Sequence, residues 1–198
     1  MDADCYIQAI TYASDRGIDV VSMSFGSSQK SDAIVRAIRS SREMLLFAAA
    51  NNEGLNEAEM FPASSEAVIS VRGTDHDGLF LQPYNPSPRQ HKAAPHFGTL
   101  ASAVPCVYPE PNRLLKSGCS VATPIMAAMA ATIIRYVDRE SVLHRYHDHV
   151  RTSQGMLAIF RAMTEEQKSE RRYLAPWLLY QNGRDTTHLI GNALSGSL

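Results

Sequence analysis

The sequence predicts an α/β fold built on a doubly wound parallel sheet. Three observations carry this. Short β-branched or apolar runs alternate with stretches of helical periodicity, the run at 44–50 is apolar throughout, and the stretch at 121–134 is apolar almost all round. Strands separated by helices pair in parallel with helices on both faces, and a strand covered on both faces reads as an unbroken apolar run rather than an alternating one. The same logic places any active site at the carboxyl ends of the strands, in the loops after Phe25 and Ala50.

In chain order, Ile7, Ile10 and Ala13 recur at helical spacing between residues 4 and 16, and Gly17 supplies a C-terminal cap. Residues 18–25 form a strand that stops at Gly26. Residues 31–42 have a serine cap and an Ile34, Val35, Ile38 stripe, which predicts an amphipathic helix. MLLFAAA, closed by NNEG, is too short for a typical helix and is expected as a strand buried on both faces, and AVIS at 67–70 as another. Residues 79–111 contain seven prolines and two histidines and predict irregular chain wrapping the surface, with at most short strands. VATPIMAAMAATII after Ser120 predicts a central buried helix, with Pro124 in its first turn. From residue 139 the chain is charged, with a capping box at Thr164 to Gln167 and a solvated helix face made by Glu165, Glu166, Lys168, Glu170, Arg171 and Arg172. Trp177 with Leu174, Leu178 and Leu179 reads as a face docked onto the rest of the protein.

Composition narrows the function. The chain of 198 residues is 44% hydrophobic and 20% charged, enough to bury a core, and 19 basic against 20 acidic residues give a net charge of -1. That balance gives no general attraction to nucleic acid or to an anionic membrane surface. Three cysteines without metal-ligand spacing exclude a disulfide scaffold and a zinc finger. The stretch at 117–134 contains Pro124, hydroxyl residues and many alanines, and reads as a buried helix rather than a membrane span. MDADCYIQ lacks a secretory signal, so the chain as written is expected in the cytoplasm. His144, His147 and His149 lack supporting ligands at useful spacing and read as a solvated helix end, not a metal site.

The chemical signal is SGCSVATP at 117–124. A serine opening a buried helix meets unpaired backbone N–H groups and the positive end of the helix dipole, which suits a developing oxyanion. VVSMSFG (20–26), FAAANNEG (47–54), FPASSEAVISV (61–71) and SGCSVATPIMAA (117–128) occur in this order, and together they resemble the subtilisin-like serine peptidases (peptidase S8 family) over about residues 5–137. GTLASAVP, PNRLLKSG, QGMLAIF and APWLL look most like such domains in multidomain filamentous-fungal proteins.

The resemblance implies a subtilisin-type sheet, incomplete on its N-terminal side, over residues 1–137, followed by a helical C-terminal extension at 138–198. It implies Ser120 as nucleophile, with Cys119 in place of the family's threonine, and Asn52 as side-chain oxyanion donor. Asn51 stands where glycine is common, and asparagine is among the residues that tolerate a left-handed conformation. Ser24, Phe25 and Gly26 match the strand end that pairs with an extended substrate, and Ala48, Ala49 and Ala50 match the opposite wall of the P1 pocket. Small side chains there would leave room for a large P1 group, although core packing alone also explains alanines on a buried strand, and the pocket preference stays open. The partner implied is a polypeptide substrate, together with further domains of a longer protein, and neither cofactor nor metal is called for.

The family also uses an aspartate in a D-S/T-G turn and a histidine in an H-G-T/S turn, both ahead of the serine. Neither occurs in this chain. None of the seven histidines precedes a glycine, and Asp185-Thr186-Thr187 follows the serine. The expectation is therefore an endopeptidase domain that is inactive as this chain alone. The alternative is a non-catalytic remnant that binds peptides or regulates a partner.

Overall fold

The computed structural model describes residues 3–41, 44–54, 57–87, 96–107, 114–164, 171–181 and 183–198. Helix α1 (Ala3–Asp15) ends at Gly17, whose φ of 63° lets Gly17 N–H reach Ser14 O and Ile18 N–H reach Ala13 O. This paired arrangement satisfies carbonyls that the last turn would otherwise orphan. Strand β1 (Val20–Met23) follows, then α2 (Asp32–Ser40), whose cap Ser31 accepts a hydrogen bond from Ile34 N–H and which buries Ile34 and Ile38. Strands β2 (Leu45–Ala49) and β3 (Ile69–Thr74) fall in the two apolar runs expected as strands, and β4 (His96–Leu100) follows them.

All neighbouring strands pair in parallel, in the order β1-β2-β3-β4-β7, where β7 is Arg171–Tyr173. β2 shows why its sequence is apolar throughout. With a side-chain period of two, Leu45 and Phe47 enter one core and Leu46 and Ala48 the other. The first core holds Ile69, Val71 and Phe97 under helix α3 (Cys119–Arg139), and the second packs Met23 and Val68 against Ile10, Ile34 and Ile38. α3 is the predicted central helix, with Met126, Ala130, Ile133 and Val137 buried.

Two expectations are corrected. The 79–111 segment does more than wrap the surface, because it supplies β4, four of whose five residues are buried. Prolines and polar residues around HFGTL mask that strand. The part at 88–95 and 108–113 lies outside the described residues, as does His91. A small antiparallel hairpin, β5 (Val104–Cys106) with β6 (Leu114–Lys116), leads into α3.

The chain beyond residue 137 is not purely helical. It contains α4 (His147–Val150), α5 (Ser153–Ala162), α6 (Trp177–Tyr180) and α7 (Thr186–Ser195), and it also adds β7 to the sheet. Arg171 and Arg172 are therefore half-buried strand residues, not a helix face, since partners in β4 fix them in extended form. The remaining residues of that expected face and of the capping box beyond Thr164 lie outside the described residues. Met156, Ile159, Phe160, Leu174, Leu179, Ile190 and Leu194 share the α3 core, and Phe160 sits against Phe47 and Phe97 with ring centroids 6.2 and 5.8 Å away. Trp177 itself is 49% exposed.

Candidate active site

Ser120 is the second residue of α3, so its N–H has no acceptor within the helix and lies in the positive end of the dipole. Asn52, three residues beyond the end of β2 at Ala49, grips this turn with both ends of its amide. Its Oδ1 accepts from Cys119 N–H at 2.7 Å, and its Nδ2 donates to Ser120 Oγ at 3.3 Å. Gly118 makes the approach possible. Its φ is 123°, and a Cβ there would lie 2.8 Å from Asn52 Oδ1. Gly118 N–H donates to Ala101 O at 2.8 Å, which ties the turn to the end of β4.

Pro124 is not in the first turn but is the sixth residue of α3. Its missing N–H would have bonded Ser120 O, four residues back. Ser24 replaces it, because its hydroxyl donates to Ser120 O at 2.7 Å. The hydroxyl at the end of β1 thus repairs the defect that proline makes in the helix carrying Ser120. Ser120 Oγ also lies 3.5 Å from Ser24 O.

Asn51 corrects a second expectation. Among the described non-glycine residues only Ala103 has a positive φ, so Asn51 does not replace glycine by going left-handed. Its side chain builds the turn instead. Oδ1 accepts from Asn52 N–H at 2.6 Å and Glu53 N–H at 3.2 Å, while Nδ2 donates to Ala58 O at 2.8 Å.

Cys119 is fully buried, and burial pushes its thiol pKa up. It stays protonated and donates to Tyr84 O at 3.1 Å. Asn85, also buried, clamps the floor beneath. It accepts from Gly73 N–H at 2.9 Å and donates to Gly73 O and Leu81 O, each at 2.7 Å. Sequence reasoning missed Tyr84 and Asn85. They lie within QPYNPSP, where prolines signal only irregular chain.

The structure therefore brings both Asn52 and Ser24 into hydrogen-bond range of Ser120. Phe25 and Gly26 continue from β1 beside the buried Ala48, Ala49 and Ala50, since Met23 pairs with Ala48 across the two strands. Phe25 packs edge-on against Tyr6, with ring centroids 4.7 Å apart. Around Ser120 Oγ, the hydrogen-bonding partners among the described residues are Asn52 Nδ2 and Ser24 O, and neither is a base. His144 and His147 bond to Asp138 at the far end of α3, and His149 bonds to Ser197.

Comparison with known proteins follows the same lines. The model of the subtilase family, Peptidase S8, matches residues 1–159. The cell wall-associated protease of Bacillus subtilis (strain 168) is 31% identical over 132 residues, which cover 67% of this chain and 14% of that protein. Among solved structures, the prenylagaramide maturation protease PagA superposes with a TM-score of 0.68 at 20% identity, covering 97% of this chain and 66% of its own. The PatG macrocyclase in complex with peptide gives 0.69 at 17% identity, with coverages of 98% and 57%. The chain thus spans a small part of the first relative and roughly three-fifths of the two structures.

Proposed function

The chain belongs to the Peptidase S8 (subtilase) family, and from that premise we propose that it carries the nucleophile side of a serine endopeptidase site acting on polypeptides. Ser120 Oγ attacks the scissile carbonyl while an imidazole takes the hydroxyl proton, and the peptide C–N bond then breaks, the amine leaving with that proton and the acyl group staying on Oγ. Asn52 Nδ2 and the free Ser120 N–H meet the oxyanion of the tetrahedral intermediate, which needs donors converging beside the hydroxyl. Ser24, Phe25 and Gly26 form one wall for the substrate, and Ala48, Ala49 and Ala50 the other. The observation that carries this reading is the single Asn52 amide that holds Cys119 N–H at 2.7 Å and reaches Ser120 Oγ at 3.3 Å.

An imidazole and its orienting carboxylate come, in this reading, from polypeptide outside the 198 residues. The same proposal places the domain within a larger, multidomain protein of filamentous-fungal type. The purified chain should leave casein intact. Casein cleavage that disappears in Ser120→Ala would show that a base within these residues serves, and would overturn the need for an outside one.

The absence of a base at Ser120 Oγ among the described residues favours a second reading, a peptide-binding module that keeps the groove without the chemistry. Translating the genomic sequence upstream of Met1 separates the two. In-frame D-S/T-G and H-G-T/S turns sustain the peptidase, provided that the extended product cleaves casein and Ser120→Ala abolishes the cleavage.

A further inference from the structure

One buried ion pair joins two segments that the sequence keeps apart. Side chains alternate along β3, so Ser70 and Arg72 share the face opposite to Ile69 and Val71, which enter the core under α3. On that face the Ser70 hydroxyl donates to Glu59 Oε1, and Arg72 Nη2 lies 3.7 Å from the same oxygen, with the Arg72 and Glu59 side chains 1% and 0% exposed. Taking both charges out of water offsets most of their attraction, so a pair of this kind adds little to overall stability. What it fixes is position.

From Glu59 the contacts run to Asn52. Ala58 O, one residue back, accepts from Asn51 Nδ2 at 2.8 Å, and Met60 N–H, one residue on, donates to Ala50 O at 2.8 Å. From Arg72 they run to Cys119. Arg72 Nη1 donates to Pro86 O at 2.6 Å, and the adjoining Asn85 Oδ1 accepts from the Cys119 thiol at 3.5 Å. Cys119 N–H in turn meets Asn52 Oδ1 at 2.7 Å, and the ring of contacts is closed.

We propose that Arg72 and Glu59 are positioning residues for the oxyanion site, their ion pair closing the ring that holds the Asn52 amide against Cys119 and Ser120. Neither touches a reacting atom. The inference rests on the peptidase-type site, because only that reading gives a fixed separation of Asn52 from Ser120 a chemical use. Oxyanion donors act within a few tenths of an ångström of one distance, so a ring that sets this distance from behind bears on the chemistry.

The test uses the isotope-labelled 198-residue chain, and NMR follows the Asn52 side-chain amide and the Cys119 backbone amide proton. Both are shifts of the folded state and do not move with a change in global stability alone. Arg72→Met, which keeps most of the volume and removes the charge, should move the Asn52 resonances and bring the Cys119 proton upfield as its hydrogen bond loosens. Glu59→Gln should act in the same direction, and Arg72→Lys, which keeps the charge, should restore part of the shift. Ile34→Ala opens a cavity on the same side of the sheet but outside the ring, and should leave both signals in place. If the single variants do not fold, Glu59→Gln combined with Arg72→Met leaves no lone buried charge and is read in the same way. Unmoved signals in folded variants, or equal movement in Ile34→Ala, would overturn the positioning role, as would failure of the combined variant to fold, which would assign the pair to folding alone. None of these results touches the peptidase reading, which stands or falls on the casein assay of the extended product and leaves the ring intact if it falls.

Discussion

At its first turn α3 holds Ser120 with a backbone donor left over, whereas near its last turn it holds Asp138 among charges that answer one another. Arg151 Nε lies 2.7 Å from Asp19 Oδ1, its Nη2 lies 2.9 Å from Asp138 Oδ2, and His147 Nδ1 lies 2.9 Å from Asp138 Oδ1. A carboxylate close to a helix C-terminus is opposed by the dipole, and Arg151 reverses that penalty. The Arg151 guanidinium beside it holds the Asp138 carboxyl below the usual range, and the same hydrogen bond raises Arg151 in turn. The difference teaches where each end puts its free energy. One end is closed by ion pairs and joins the C-terminal helices to the start of the sheet, and the other leaves a backbone N–H without an acceptor in the helix.

Removing Arg151 should break this contrast most strongly. Its side chain is 14% exposed and that of Asp138 24%, so Arg151→Ala, which leaves Asp138 with His147 alone and Asp19 facing solvent, should cost about 2 kcal/mol, between the values for an exposed and a fully buried pair. Urea denaturation measures it, and a loss below about 0.5 kcal/mol would reduce the cluster to an ordinary surface pair.

At the opposite end, Gly118→Ala forces a Cβ against Asn52 Oδ1 at a φ of 123°, and should cost about 1–3 kcal/mol. It should also move the Asn52 side-chain amide resonances, and unmoved resonances would show that the contact is slack. Ser24→Ala leaves the Ser120 carbonyl beside Pro124 without its donor, for about 1 kcal/mol. If Ser24→Ala is neutral while Pro124→Ala stabilises, water already serves that carbonyl.

The smallest effect is one of pH. Asp138 has a lowered folded pKa, so between that value and the unfolded value of about 3.9 the unfolded chain binds more protons. Stability from this group is complete above about pH 4 and is lost as the pH falls through the folded value. Urea midpoints taken from pH 5 downward should fall less steeply in Arg151→Ala than in the wild type, and parallel curves would place the acid sensitivity elsewhere.

The strands and helices with a strong local period were legible. β2 announced two covered faces, and the Ile34, Ile38 stripe announced α2. β7 was not legible, because RRY is three residues long and charged, and it is extended only because β4 offers it a ladder. The meeting of Asn52 with Ser120 was readable from two motifs in order, since parallel-sheet topology gathers strand ends and helix starts on one edge. The repair of the Pro124 defect by Ser24 was not, because it joins positions 96 residues apart through a contact that only the folded register defines.

The two-faced packing of β2 has a consequence for how the molecule comes apart. Leu45 and Phe47 belong to one core and Leu46 and Ala48 to the other, and all five strand residues are buried. Neither layer can melt without stripping one face of this strand, so its backbone amides open only in the global transition. They should be the last in the chain to exchange with deuterium, and any sub-global opening has to be sought at β7 or the β5–β6 hairpin.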